Sequence, residues 1–191
     1  MASMLVFAGP NGSGKSTITS KYPIVGAYVN ADEIQRKLGC DAMEAAKIAT
    51  STREKLLEAG KDFSFETVLS TPRNIDLMEK ARSCGYYIMC VYVLTRDPGI
   101  NEKRVDARIA RGGNFVEREK IRPRYIRAMR LILDLCCVAN RVLFFDNSGE
   151  RDSGGPFLIA EVNEGQATIN PCKYWSYEEI QQLLGGQYFN E

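Results

Sequence analysis

The sequence predicts an α/β fold, a parallel β-sheet with helices on both faces. Three observations carry that expectation. A short apolar run at residues 5–8 leads straight into a glycine-rich loop and then a helix signal. Apolar or alternating runs recur after it, separated by helical stretches longer than any hairpin needs, which calls for βαβ crossovers. One run, residues 86–94, is apolar almost without interruption, as suits a central parallel strand covered on both sides.

Each element has its own warrant. Residues 16–22 read as a short helix stopped by Pro23, and 27–30 as a second strand. Asp41 and Glu44 form a capping box for a helix running to Gly60, with Ala45, Ala49, Thr52, Leu56 and Ala59 on one face. Residues 63–69 alternate as a strand, placing Phe63, Phe65, Thr67 and Leu69 on one side and Ser64, Glu66 and Val68 on the other. Thr71 as N-cap and Pro72 in the first turn open a helix to Ser83. Two basic helices follow within 98–130, separated by Gly112 and Gly113. The second buries a stripe of Ile121, Tyr125, Ala128, Ile132 and Cys136, although Pro123 obscures its start. Residues 142–145 form another strand. A β-hairpin is expected from 157–162 and 166–169 around Asn163, Glu164 and Gly165. A Ser176/Glu179 capping box then starts a final helix that stops at Gly185 and Gly186. The stretch 151–156 is the most linker-like and reads as joining the hairpin to the sheet. The 191 residues are expected to form a single domain, with the basic helices at 98–130 as a lid and a C-terminal unit at 156–186.

Composition narrows the chemistry. With 25 basic and 24 acidic residues the net charge is +1, so no global field points to nucleic acid or a membrane surface. There is no histidine, which removes imidazole acid–base chemistry. The six cysteines show no C-x-x-C spacing and read as buried free thiols in a reducing compartment. The N-terminus runs directly into the first strand, and no apolar stretch approaches ~18 residues, so a soluble cytoplasmic chain is expected.

The glycine-rich loop is the most specific signal. Gly9 to Ser16 matches G-x-x-x-x-G-K-[ST] in full, between a strand and a helix. This is a phosphate cradle: Gly9, Pro10, Asn11, Gly12, Ser13 and Gly14 turn backbone N–H groups inward. Lys15 reaches the β- and γ-phosphates, the Ser16 hydroxyl binds Mg²⁺, and Thr17 continues the helix. The sheet is thus of the P-loop NTPase type, and the expected ligands are ATP (or GTP) and Mg²⁺. In an open parallel sheet, ligands lie beyond the carboxyl ends of the strands. Asp32, after the second strand, is either a general base or the N-cap of the next helical turn. Glu66, inside the third strand beside Thr67, either pairs with a cation or faces a ligand. Arg104, Arg108 and Arg111 share one helix face, and Lys120, Arg124 and Arg127 another. Joined by a glycine hinge, they read as a lid on a triphosphate or as solvated, ion-paired faces.

Taken together, these segments resemble the zeta-toxin family of P-loop kinases. The likeness rests on the Gly9–Ser16 cradle, Asn30-Ala31-Asp32, Phe65-Glu66-Thr67, Arg104 and Arg108 with Gly112-Gly113, Arg124 with Arg127, and Asp146-Asn147-Ser148. It implies phosphoryl transfer to a sugar hydroxyl of a nucleotide sugar such as UDP-N-acetylglucosamine, and a possible antitoxin protein as partner. By motif, Asp32, Lys15 and Arg127 would be catalytic, and Arg108 and Arg124 would join the cradle around ATP. Asp32, Glu66 and Thr67 would hold the acceptor, and Ser16 the metal. Where the family carries Gly-Gly-His and a later proline, this chain has Asn114 and Glu117. The alternatives are a kinase of another metabolite, nucleotide or nucleic-acid end, and a non-catalytic ATP-binding module; extended nucleic-acid binding is disfavoured by the lack of aromatic–basic interleaving.

Overall fold

The computed structural model describes residues 1–149 and 155–186. Most of the linker-like stretch 151–156 lies outside the described residues. Among those described, the chain forms β1 (Ser3–Ala8), α1 (Lys15–Thr19), β2 (Ala27–Val29), α2 (Ala31–Leu38), α3 (Ala42–Glu58), β3 (Phe63–Thr67), α4 (Arg73–Ser83) and β4 (Tyr87–Leu94). These are followed by α5 (Pro98–Ile109), α6 (Arg118–Arg130), α7 (Ile132–Val138), β5 (Arg141–Asp146), β6 (Phe157–Asn163), β7 (Gln166–Ile169) and α8 (Tyr177–Leu183).

The seven strands form one sheet in the order β2-β3-β1-β4-β5-β6-β7. The first five run parallel; β6 adds antiparallel to β5, and β7 antiparallel to β6. Period-two alternation splits β1 cleanly. Met4, Val6 and Ala8 enter the larger core with side chains from α3, α4, α7 and α8, while Leu5 and Phe7 face Ile18 of α1 and the segment holding Tyr22 and Val25. β4 reads as expected, with Cys90 through Leu94 buried without a break. No helix among the described residues is long and apolar enough to cross a membrane.

Local rules account for most element boundaries. Asp41 caps α3 by accepting from the Glu44 N–H, and Asp97 caps α5 ahead of Pro98. Ser176 and Glu179 form the full reciprocal box on α8. The hairpin turns at Glu164 and Gly165, both at positive φ (47° and 78°), the backbone of a type I′ turn.

Several expectations need correction. α1 ends at Thr19 rather than at residue 22. The third strand stops at Thr67, because Leu69 adopts φ 51° and turns the chain. α4 starts at Arg73 with Pro72 itself as the cap residue, so Thr71 caps nothing. Pro123 sits inside α6, which forfeits one backbone hydrogen bond but continues. The stripe assigned to a single second basic helix is shared between α6 and α7, which part at Leu131. On α3 the buried stripe is Ala45, Ala49, Arg53 and Leu57, so Thr52, Leu56 and Ala59 lie to its side. Cys90 and Cys136 are buried, whereas Cys84 and Cys137 are exposed.

The C-terminal unit is latched to the sheet. Trp175 packs in the larger core and donates its indole N–H to the buried Asp146 carboxyl at 2.9 Å. Trp175→Phe keeps the packing and strips that donor, so it should destabilise the fold by about 1–3 kcal/mol. For a chain of this size roughly 2–4 °C is lost per kcal/mol, which a melting curve resolves.

Candidate active site

β1 lies where the chain reverses its direction of travel across the sheet, with β3 on one side and β4 on the other. That is the switch point at which open α/β sheets bind ligands. The loop leaving β1 is held from several directions. Asn101 of α5 donates to the Asn11 carbonyl and Asn147 to the Ser13 carbonyl, both at 2.7 Å. Two glycines are required here by backbone shape and by crowding. A Cβ on Gly9 (φ 140°) would stand 2.0 Å from the Val93 carbonyl oxygen, and one on Gly14 (φ 96°) 2.1 Å from the Asn147 amide. The N–H groups of Asn11, Gly12 and Gly14 find no backbone acceptor among the described residues. Asn11 Oδ1 and Ser13 Oγ are buried without partners. Unspent donors on a loop this tightly held suit phosphate oxygens.

Four charged side chains converge on this loop. Lys15 Nζ donates to the carbonyls of Gly9 (2.7 Å) and Pro10 (3.1 Å). Burial pulls its pKa down to about 8, Glu66 and Asp32 oppose that fall, and Arg108 adds to it. Glu66 is held by neutral donors: its Oε1 accepts from Thr19 Oγ1 at 3.0 Å and from the Tyr28 hydroxyl at 2.8 Å. Asn30 Nδ2 in turn donates to the Tyr28 oxygen at 3.1 Å. Burial, with Glu66 adjacent, raises the Tyr28 pKa, so the phenol stays a donor.

Asp32 is the second residue of α2 and is exposed. The cap of that helix is Asn30, whose Oδ1 accepts from the N–H groups of Asp32 and Glu33. Capping therefore does not account for Asp32. Thr67 Oγ1 accepts from Leu69 N–H (2.9 Å) and Asn74 Nδ2 (2.7 Å), fixing the turn after β3. Ser16 and Thr17 stand exposed at the start of α1.

The arginines of α5 and α6 divide. Arg104 donates to the carbonyls of Asn147 (2.7 Å) and Gly149 (2.6 Å), tying α5 to the segment after β5. Arg108 donates to the Asn114 carbonyl at 3.0 Å and is the one among them whose charge acts on Lys15. Arg127 Nε donates to the Ser70 carbonyl at 3.1 Å, beside the turn that holds Thr67. Arg124 is half-buried and lies within electrostatic reach of Glu117. Lys120 pairs with Glu117, and Arg122 and Arg118 bridge to Glu102 and Asp106 of α5, so part of the basic face is ordinary ion pairing. Sequence reasoning missed Tyr28, Asn101 and the hold of Asn147 on the loop. Each acts across a long sequence separation that no local pattern reports.

The depressed Lys15 pKa has a direct check. In the free protein, an NMR titration of the Lys15 amine should show a midpoint near pH 8. Between there and its ordinary 10.5 the unfolded chain binds the extra proton, so this group makes stability rise with pH in that window. Adding MgATP should raise the midpoint, because phosphate favours the charged amine. A midpoint near 10.5 with and without nucleotide would contradict the site geometry.

No known protein-family model matches the chain. A curated relative from Haemophilus influenzae, an uncharacterised protein, is 27% identical over 127 residues, spanning 63% of this chain and 91% of its own. Among solved structures, a chain of the AvrRxo1-ORF1:AvrRxo1-ORF2 complex superposes with a TM-score of 0.70 at 13% identity, and that complex has also been crystallised with ATP. The match covers 96% of this chain, which spans only 64% of the AvrRxo1 chain. A chain of the PezAT chromosomal toxin–antitoxin system of Streptococcus pneumoniae gives a TM-score of 0.54 at 17% identity, covering 97% of this chain and 84% of its own. What is shared is the fold, an α/β sheet with helices packed on it.

Proposed function

We propose that this chain is a zeta-toxin-like phosphotransferase that moves the γ-phosphoryl group of ATP (or GTP) to a hydroxyl of a small acceptor. The observation that carries the reading is the convergence of Lys15, Glu66, Asp32 and Arg108 at a loop whose Asn11, Gly12 and Gly14 amides have no backbone acceptor among the described residues. The loop amides and Lys15 bind the triphosphate, with Lys15 exchanging its contacts to Gly9 and Pro10 for phosphate oxygens. The exposed Ser16 hydroxyl would hold Mg²⁺, which would supply neutralising charge to the phosphates. Asp32 takes the proton of the acceptor hydroxyl as its oxygen bonds to the γ-phosphorus. The bond from that phosphorus to the β-bridging oxygen breaks, and the nucleoside diphosphate leaves. Glu66, held by Tyr28 and Thr19, and Thr67 position the acceptor. Arg108 and Arg124 work from the nucleotide side and Arg127 from the acceptor side.

The fold shared with AvrRxo1 and PezAT chains supports this reading, as does ATP in one AvrRxo1 crystal. The first comes from a two-component complex and the second from a toxin–antitoxin system, so an antitoxin protein is the proposed macromolecular partner. A nucleotide sugar is the proposed acceptor, on the resemblance in sequence.

Three substitutions test the roles, with transfer followed from labelled ATP onto nucleotide sugars, nucleosides and oligonucleotides. Lys15→Ala should abolish transfer without unfolding the protein; unchanged MgATP affinity and turnover would remove the nucleotide site. Asp32→Asn should leave the melting temperature unchanged, because Asn30 is the cap, yet slow transfer by roughly 10²–10⁴-fold. A rate within a few-fold of wild type would take the base role from Asp32. Arg108→Ala should lower kcat more than it raises KM for ATP, by up to about 10³-fold if it acts as a finger on the transferring phosphoryl group. A reduced melting temperature with normal kcat would make it a structural arginine.

A further inference from the structure

The C-terminal unit of β6, β7 and α8 lies outside the glycine-loop site, yet it reaches that site through one buried turn. Asp146 ends β5 at 3% exposure, and no cation lies within 4.0 Å of its carboxylate among the described residues. Its charge is held by three neutral donors. Two come from its own turn: the Ser148 N–H donates to Oδ2 at 3.1 Å, and the Ser148 hydroxyl donates to Oδ1. The third is the Trp175 indole N–H, 2.9 Å from Oδ1, and it alone of the three ties the carboxylate to a distant part of the chain. The indole is itself fixed, because Arg96 stacks 4.7 Å from its ring centre and pairs with Glu179 of α8. A buried carboxylate deprived of a donor is costly, so the turn would rearrange if this bond were lost.

Inside that turn sits Asn147. Its side-chain amide donates to the Ser13 carbonyl at 2.7 Å and stands where a Cβ on Gly14 would come within 2.1 Å. Its backbone is strung between two elements: the N–H donates to the Leu94 carbonyl of β4 at 2.8 Å, and the carbonyl accepts from Arg104 of α5 at 2.7 Å. Gly14 is the N-cap of α1 at φ 96°, and its N–H is among the loop amides without a backbone acceptor. A shift of the Asp146 turn therefore carries Asn147 with it. In so close a contact, Asn147 cannot move without displacing the backbone that holds the loop's donors. Small displacements matter at such a place, since a misplacement of about 1 Å from a remote change can lower a rate by about 10²-fold.

We propose that Trp175 is a positioning residue for the nucleotide. Through Asp146 and Asn147, its indole N–H sets the glycine loop in the shape that binds a triphosphate, so the C-terminal unit governs the affinity of the site. The inference deepens the phosphotransferase reading and rests on it for the identity of the ligand. Such a coupling is reciprocal. A nucleotide that orders the Ser13–Gly14 backbone must in turn act on the bond from Trp175 to Asp146.

Trp175 is the single tryptophan of the chain, so its indole N–H gives one ¹H–¹⁵N resonance that identifies itself. In the full chain this peak should move saturably as Mg-AMP-PNP is added, with the midpoint that calorimetry gives for binding. In Asn147→Ala the nucleotide should bind more weakly, and the indole peak should stay in place at saturation. Calorimetric affinities are compared well below each variant's melting temperature, where every molecule is folded. Trp175→Phe should lower the affinity roughly fivefold or more. The double variant should bind no more weakly than Asn147→Ala alone, because both changes act along one route. A purely structural tryptophan would lower the melting temperature and leave the affinity of the folded protein untouched. Unchanged affinity in Trp175→Phe, losses that add in the double variant, or an indole peak that ignores the nucleotide overturns the proposal. Should Trp175→Phe not fold, the wild-type and Asn147→Ala titrations decide the matter on their own. Failure of AMP-PNP to bind the wild-type protein strikes the phosphotransferase reading instead. The relay is then judged by the Gly14 amide resonance of the free protein: a shift in Trp175→Phe supports it, and none overturns it.

Discussion

The loop between β1 and α1 is pressed from several directions at once. The carbonyl of Val93 stands against Gly9, that of Asn101 against Gly12, and the side-chain amide of Asn147 against Gly14. Those neighbours come from the end of β4, from α5 and from the residue after β5, so three separate parts of the fold converge on one short piece of backbone. Packing this close is open only to residues without side chains. The same contacts occupy the loop carbonyls of Asn11 and Ser13, while several of its amides stay unspent. The order of the strands, the seating of α5 and the bend after β5 all follow from the need to hold a backbone surface rich in donors.

A second set of contacts makes the acidic side of the site. Tyr28 in β2, Glu66 in β3 and Thr19 in α1 meet through hydroxyl-to-carboxyl bonds, and Asn30 joins the group while capping α2. One short segment, Tyr28 to Asp32, therefore fixes the Glu66 carboxyl and also sets where α2 begins, and with it the place of Asp32. Neutral donors suit this purpose. They orient Glu66 without cancelling its charge, which is left to act on Lys15.

How much of this was legible in the sequence depended on the range of each interaction. The glycine loop, the buried run of β4, the Ser176 box and the hairpin turn are specified by neighbouring residues, and the sequence announces each of them. Where two local rules competed, the pattern left the outcome open or misled. Asp32 could be read as a cap or a base, and the chain caps this helix with Asn30 instead. On α3 an arginine reads as polar and outward, so the apolar stripe was traced through Thr52 and Leu56; stacking on Phe65 overrides that preference. The hold of Asn101 and Asn147 on the loop and the division between α6 and α7 arise from tertiary packing, which no spacing rule encodes.

The bond from Trp175 to Asp146 has a consequence for how the protein comes into being. Asp146 opens the segment that carries Asn147 onto the glycine loop, and Ser148 completes its hydrogen bonding to the same carboxyl. The glycine loop is synthesised before this brace, which depends on a tryptophan ~160 residues later, a delay of roughly 8–30 s at ordinary synthesis rates. A growing chain thus carries its glycine loop through that interval without the latch that braces it. The order of synthesis itself postpones the braced loop until Trp175 has been made.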